Sequence, residues 1–202
     1  MTHVRLLPVL AVALALAACD KPAAPPAAPA TPGAPPTIGA PAGEGQALDL
    51  DSGGLLIVIA DTGSTRPVAF GLARAEALAM LNKAQGVAGK ESVNTECGAG
   101  PLTFVEWPDG LSALFQDGKF AGWSADERGG GTLAFMNGFG IGSTRARMTT
   151  DYPAAKVEET TLGVEFTLDP AAADTSPGGL LDGRGQDAKV SDLWAGVTCM
   201  FR

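Results

Sequence analysis

Histidine is all but missing from this chain: of its 202 residues only His3 is one. Beyond that position neither a Ser-His-Asp triad nor a Cys-His pair can be assembled, and the commonest zinc ligand is gone. No metal and no cofactor is expected. Basic residues are also scarce, fourteen against twenty-two acidic ones for a formal charge of −8. Nucleic-acid binding draws most of its affinity from neutralised phosphates, so no nucleic-acid partner is expected. Aromatics make up only 6% of the chain, with three tryptophans and one tyrosine. After residue 18 no apolar run approaches the ~20 residues of a spanning helix.

Glycine and proline are abundant, at 27 and 15 residues, and their placement divides the chain. Residues 1–18 carry one cation, Arg5, and then an apolar stretch from Leu6 to Ala18. That is too short to span a bilayer and has the layout of an export signal. From Asp20 to about Ala47 the sequence is a Pro/Ala-rich run holding eight of the fifteen prolines and almost nothing to bury. Such a run is a semi-rigid spacer extending ~3 Å per residue. The expected organisation is therefore a signal over 1–18, a tether over 19–47 and a globular domain over 48–202.

Leu16-Ala17-Ala18-Cys19 resembles a bacterial lipobox. That resemblance implies cleavage before Cys19 and its attachment to diacylglycerol. The protein would then be lipid-anchored to a bacterial membrane and face the periplasm, with the bilayer itself as a first partner. Two or three acyl chains make such an anchor stable. Asp20 resembles the inner-membrane retention signal of enteric lipoproteins, which leaves open which membrane is meant.

The globular part repeats itself at an offset of 70 or 71 residues. Gln116-Asp117-Gly118-Lys119 followed by Trp123 returns as Gln186-Asp187-Ala188-Lys189 followed by Trp194. Gly71-Leu72-Ala73-Arg74-Ala75 returns as Gly142-Ser143-Thr144-Arg145-Ala146. The repeats run over about 55–128 and 131–202. Each opens with an apolar run, Leu55 to Ala60 or Thr132 to Met136, read as a strand. A helix follows, over about 73–82 and 144–151, with Ser143 or Thr144 as a cap and Pro153 as a stop. Three extended segments complete each copy: 102–107, 111–116 and 119–124 in the first; 162–168, 179–181 and 189–199 in the second. Pro108-Asp109-Gly110 and Asp117-Gly118 supply the turns. The expected class is α+β, two tandem strand-helix-meander repeats forming an antiparallel sheet with helices on one face.

Gly-x-x-Arg-Ala opening a helix, followed by the Gln-Asp-Gly-Lys hairpin, resembles the beta-lactamase-inhibitor-protein-like fold, in two tandem copies. Small outer-membrane assembly lipoproteins carry a single copy, so the resemblance implies a binding or scaffold role. The whole chain, with Glu96-Cys97-Gly98-Ala99-Gly100 and the ending Trp194-Ala195-Gly196-Val197-Thr198-Cys199, is also similar to a group of uncharacterised alphaproteobacterial lipoproteins.

With Cys19 assigned to lipid, Cys97 and Cys199 remain as an even pair in an exported domain, which predicts one disulfide. The rival is a thiol nucleophile at Cys97, for which no histidine is at hand as activator. Gly138-Phe139-Gly140-Ile141-Gly142 imitates a dinucleotide loop, but its third glycine comes one place early and no phosphate-binding lysine accompanies it. Asp49-Leu50-Asp51-Ser52-Gly53 starts like a calcium loop without the later ligands.

One chemical motif stands against a purely binding role. Leu56 to Ala60 followed by Asp61-Thr62-Gly63-Ser64 resembles the active-site loop of aspartic proteases, in which two aspartates share a proton. Only Asp51-Ser52-Gly53 offers a second copy, so the alternative is a homodimeric, retroviral-type enzyme with Asp61 as its catalytic residue. The plain reading of the same residues is a polar hairpin turn. Trp123 and Trp194 fall at matching repeat positions and read as core. Trp107, unmatched and beside a turn, is the candidate partner-binding anchor. The leading expectation is a non-catalytic, lipid-anchored envelope protein presenting a sheet surface to another envelope component.

Overall fold

The computed structural model describes residues 46–172 and 175–199. The chain there is mostly antiparallel β with two helices, an α+β fold with two sheets. Strands β1 (Gln46–Asp51), β2 (Gly54–Ile59) and β3 (Thr65–Ala69) form a three-stranded sheet in chain order. Helix α1 (Arg74–Gln85) follows, and then β4 (Lys90–Asn94), β5 (Leu102–Glu106), β6 (Leu111–Gln116) and β7 (Lys119–Asp126). Helix α2 (Arg145–Asp151) likewise precedes β8 (Lys156–Thr160), β9 (Gly163–Thr167), β10 (Gly178–Leu181) and β11 (Val190–Gly196). The last eight strands make one sheet in the order β4-β5-β6-β7-β11-β10-β9-β8, so β7 and β11 pair at its centre.

Local chemistry sets the joints. The β6–β7 hairpin turns on Asp117 at φ 49° and Gly118 at φ 73°, the two positive values a tight two-residue loop needs. Helix α1 stops at Gly86, whose left-handed conformation lets its N–H reach the Lys83 carbonyl. Helix α2 starts where the Thr144 hydroxyl accepts from the Arg147 N–H, and it ends just before Pro153.

The two halves of the large sheet repeat the same hydrogen bonds, with donors 71 residues apart and acceptors 70. Gly71 N–H donates to the Phe120 carbonyl, and Gly142 N–H to the Val190 carbonyl. Arg74 donates to Gly118 as Arg145 does to Ala188. Each half also carries one β-bulge, after Leu114 opposite Phe120–Gly122 and after Leu180 opposite Val190–Asp192. The extra residues are Ala121 and Ser191.

Three expectations need correction. The opening strand of the first half, β2, belongs to a separate three-stranded sheet and not to the sheet that the meanders form. Thr132 to Met136 is not a strand: around it there are only isolated bridges, Leu50 to Phe135 and Ala134 to Gly140. And each helix is followed by four strands rather than three, the additional ones being β4 and β8. Both are edge strands with little to bury, so neither shows an apolar signal.

Both helices and the small sheet pack on one face of the large sheet. Ala77 and Leu81 of α1, Met148 of α2, and Leu55, Ile57 and Val68 of the small sheet share a core with Phe115, Phe120, Trp123, Phe166 and Leu193. Each large apolar side chain buried there contributes ~1.5–3 kcal/mol relative to exposure. Gln85 at the end of α1 donates to the buried Asp109 carboxylate at 2.7 Å, while the other Asp109 oxygen accepts from Leu111 N–H. That pair ties α1 to the β5–β6 turn.

Candidate functional site

Among the described residues, the opposite face of the large sheet has neither helix nor second sheet over it. Side chains directly paired across an antiparallel sheet share a face, so the register identifies what lies there. Glu106, Ser112, Ser124, Trp194, Gly178 and Thr167 are successive partners across β5, β6, β7, β11, β10 and β9. Small residues thus flank one tryptophan at the middle of the sheet. The neighbouring row reads Asp126, Asp192, Leu180, Glu165 and Glu158, with four carboxylates in five positions.

A cleft of about 250 Å³ opens between these rows. Phe104, Leu114, Leu162, Leu180 and Trp194 give it apolar walls, Asp126 and Asp192 acidic ones, and Cys199 borders it. The Trp194 indole lies against Gly178: a Cβ there would stand 2.8 Å from its Nε1, so glycine is what makes room for the ring. Asp126 is matched by Arg128, whose Nε is 2.7 Å from its carboxylate, and Glu158 by Lys156 at 2.7 Å. Among the described residues Asp192 receives only the Ser191 hydroxyl, at 2.7 Å.

One end of this face is closed covalently. Cys97 and Cys199 form a disulfide with Cα atoms 5.1 Å apart, spanning 102 positions in sequence. Around it Leu102 and Leu114 are buried, with Phe104 and Val197 packed against them. The expected pairing is present, and Cys97 is therefore no free thiol.

The other sequence candidates fall elsewhere. Asp61 sits at the exposed tip of the β2–β3 hairpin, where Thr62 and Gly63 donate to the Ile59 carbonyl and the Thr62 and Ser64 side chains bond each other. Asp51-Ser52-Gly53 turns β1 into β2 at the far end of that strand, six residues or roughly 20 Å away. The two Asp-containing turns are not brought together within the chain. Trp107 is 3% exposed and its indole N–H donates to the Val87 carbonyl, so it is a core residue and not a surface anchor. Trp123 is fully buried, donating to the Asp51 carbonyl. Cys19 lies outside the described residues.

Trp194 is the residue that sequence reasoning misplaces. The repeat pairs it with Trp123 at an offset of 71, whereas the hydrogen bonds and bulges of β7 and β11 correspond at 70. Trp123 therefore corresponds to the buried Leu193, and Trp194 to Ser124. In a strand a one-residue difference moves a side chain to the other face. The partly buried Trp194 could have been found by preferring the strand offset to the helix offset.

Among the described residues no group of three or more histidine, cysteine, aspartate or glutamate side chains could hold a metal ion. No described helix is long and apolar enough to cross a membrane. Compared with protein-family models, with curated proteins and with solved structures, the chain finds no match.

Proposed function

We propose that this chain is a lipid-anchored, non-catalytic binding module of the bacterial envelope, an internal duplication whose single large sheet offers its open face to another envelope protein. The observation that carries the reading is that uncovered face, with its cleft around Trp194. A sheet covered on one side only, with an aromatic and aliphatic cleft at its centre, has the composition of a docking surface. The matched bonds of Gly71 and Gly142 and the matched bulges at Ala121 and Ser191 support the duplication. The Leu-Ala-Ala-Cys sequence supports attachment at Cys19, and the Pro/Ala-rich run supports a tether that holds the face away from the lipid.

Two measurements test it. Metabolic labelling with a tagged fatty acid should mark the full chain and lose the mark in Cys19→Ser; an unlabelled parent would remove the anchor. Tagged full chain, cross-linked in intact cells and purified in detergent, should bring down one envelope protein in near-equal amount. Trp194→Ala should release it. The absence of a stoichiometric partner, or capture that ignores Trp194, would overturn the docking role.

A further inference from the structure

We infer that the cleft is a seat for one basic side chain, a lysine or arginine flanked by apolar residues in an extended segment of the protein partner. The inference rests on the docking role proposed above and specifies its chemistry. It starts from a charge imbalance on the open face. Asp126 and Asp192 stand directly opposite each other on β7 and β11, an arrangement unfavourable for like charges. Arg128 answers Asp126 and also approaches Glu106, at 3.4 Å. Lys156 answers Glu158 at the far end of the same row. Asp192, between them, has a hydroxyl for company and no cation among the described residues.

Beside that carboxylate lies Trp194, two residues along β11 on the same face. Its ring is set against Gly178, with glycine's missing Cβ as the space it fills. Its indole N–H makes no hydrogen bond among the described residues and is available to a partner's carbonyl. A cation near Asp192 would meet two carboxylates and the π-face of the indole, and its aliphatic stem would lie on Leu180 and Leu162. An aliphatic ligand alone would desolvate the Asp192 carboxylate without bringing it a cation, which disfavours a purely apolar occupant. A second copy of this chain is disfavoured too, since the face it would bring is the same acidic one. The carboxylate row crosses five strands, ~19 Å at the usual strand spacing, about the length of six extended residues. That matches a chain segment better than a small molecule confined to the cleft.

The experiment is a titration of the full chain, purified in detergent with its tryptophan indoles labelled with nitrogen-15. Three peptides serve as probes: acetyl-Gly-Leu-Lys-Leu-Gly-amide and its versions with glutamate or norleucine in place of lysine. A Trp194→Phe sample assigns the indole signals. The lysine peptide should move the Trp194 signal saturably while the two buried tryptophans stay still. Its apparent Kd should rise at least fivefold in Asp192→Asn, and several-fold between low and high salt. The unmoved signals of Trp107 and Trp123 report that the variant is folded. Equal effects of all three peptides, unchanged binding by Asp192→Asn, or no Trp194 shift at millimolar peptide would each overturn the cation seat. The docking role fails separately. Cross-linked capture that is lost in Trp194→Ala but indifferent to Asp192→Asn keeps the docking role and discards the seat. Peptide binding through Asp192 without any captured partner does the reverse.

Discussion

Reducing the Cys97–Cys199 disulfide should lower stability by about 3–4.5 kcal/mol, and it should do so without unfolding the chain. The bond spans 102 positions, and closing a loop of that length removes ~4.7 kcal/mol of chain entropy from the unfolded state at 25 °C. Residual compactness of the unfolded chain trims that figure. The native state has means to survive the loss. Leu102 and Leu114 remain buried around the cysteines, and Val197 N–H still donates to the Ala121 carbonyl at 2.9 Å. What loosens is the segment after β11, which borders the cleft. The assay is urea unfolding of the same chain, oxidised and reduced, followed by tryptophan fluorescence. Comparing two redox states of one sequence keeps side-chain burial constant and isolates the cross-link. With a urea m-value of about 2 kcal/mol/M for a domain of this size, the midpoint should fall by roughly 2 M. A drop worth less than about 1 kcal/mol would refute the reasoning, because it would mean that the chain ends are already held together when the protein unfolds.

Gly122→Ala should destabilise by about 2–4 kcal/mol in the same unfolding assay, since its Cβ would stand 2.0 Å from the Val197 carbonyl oxygen and force the end of β11 away. Gln85→Ala should cost about 2–3 kcal/mol by leaving one oxygen of the buried Asp109 carboxylate unpaired, whereas Asp61→Asn at the exposed hairpin tip should stay within ~0.5 kcal/mol of the parent. Burial raises the Asp49 carboxyl above its ordinary value of 3.8. The folded chain then holds the proton that the unfolded chain releases, so stability falls as pH rises from 3.8 through the raised pKa, and the deficit persists at neutrality. Asp49→Asn should accordingly be more stable than the parent at pH 7, with the gap closing as pH falls towards 3.8; a gap that widens on acidification would contradict the sign.

Which parts of this fold could be read from sequence follows from how each part is stabilised. The strands β5, β6 and β7 are bounded by Pro-Asp-Gly and Asp-Gly turns, whose chemistry is local, and their limits were legible to within two residues. Helix α2 was legible for the same reason, with Thr144 before it and Pro153 after it. Edge strands β4 and β8 carry Lys90, Glu91, Lys156, Glu158 and Glu159; they are strands because a neighbour supplies hydrogen bonds, and no pattern in their own residues records that. Thr132 to Met136 shows the opposite failure. Leu133 is almost wholly buried and Phe135 packs against the core, but they reach it from a loop rather than a strand, and Met136 beside them stays exposed.

The site was hidden by the bulges. The helix-opening motif repeats at 71 and the strands at 70, and an average of the two cannot say which face a residue occupies. Once Ala121 and Ser191 are recognised as the extra residues of equivalent bulges, the register on either side is fixed. Trp123 and Leu193 must then point into the core, and Ser124 and Trp194 out of it. The two halves would otherwise present similar outer surfaces, small and polar at their shared centre. A tryptophan on one side of the β7–β11 junction and a serine on the other make that surface asymmetric. Under the docking role proposed above, that asymmetry would give an extended partner one orientation across the sheet, with its basic side chain seated beside Asp192 and Trp194 on the β11 side.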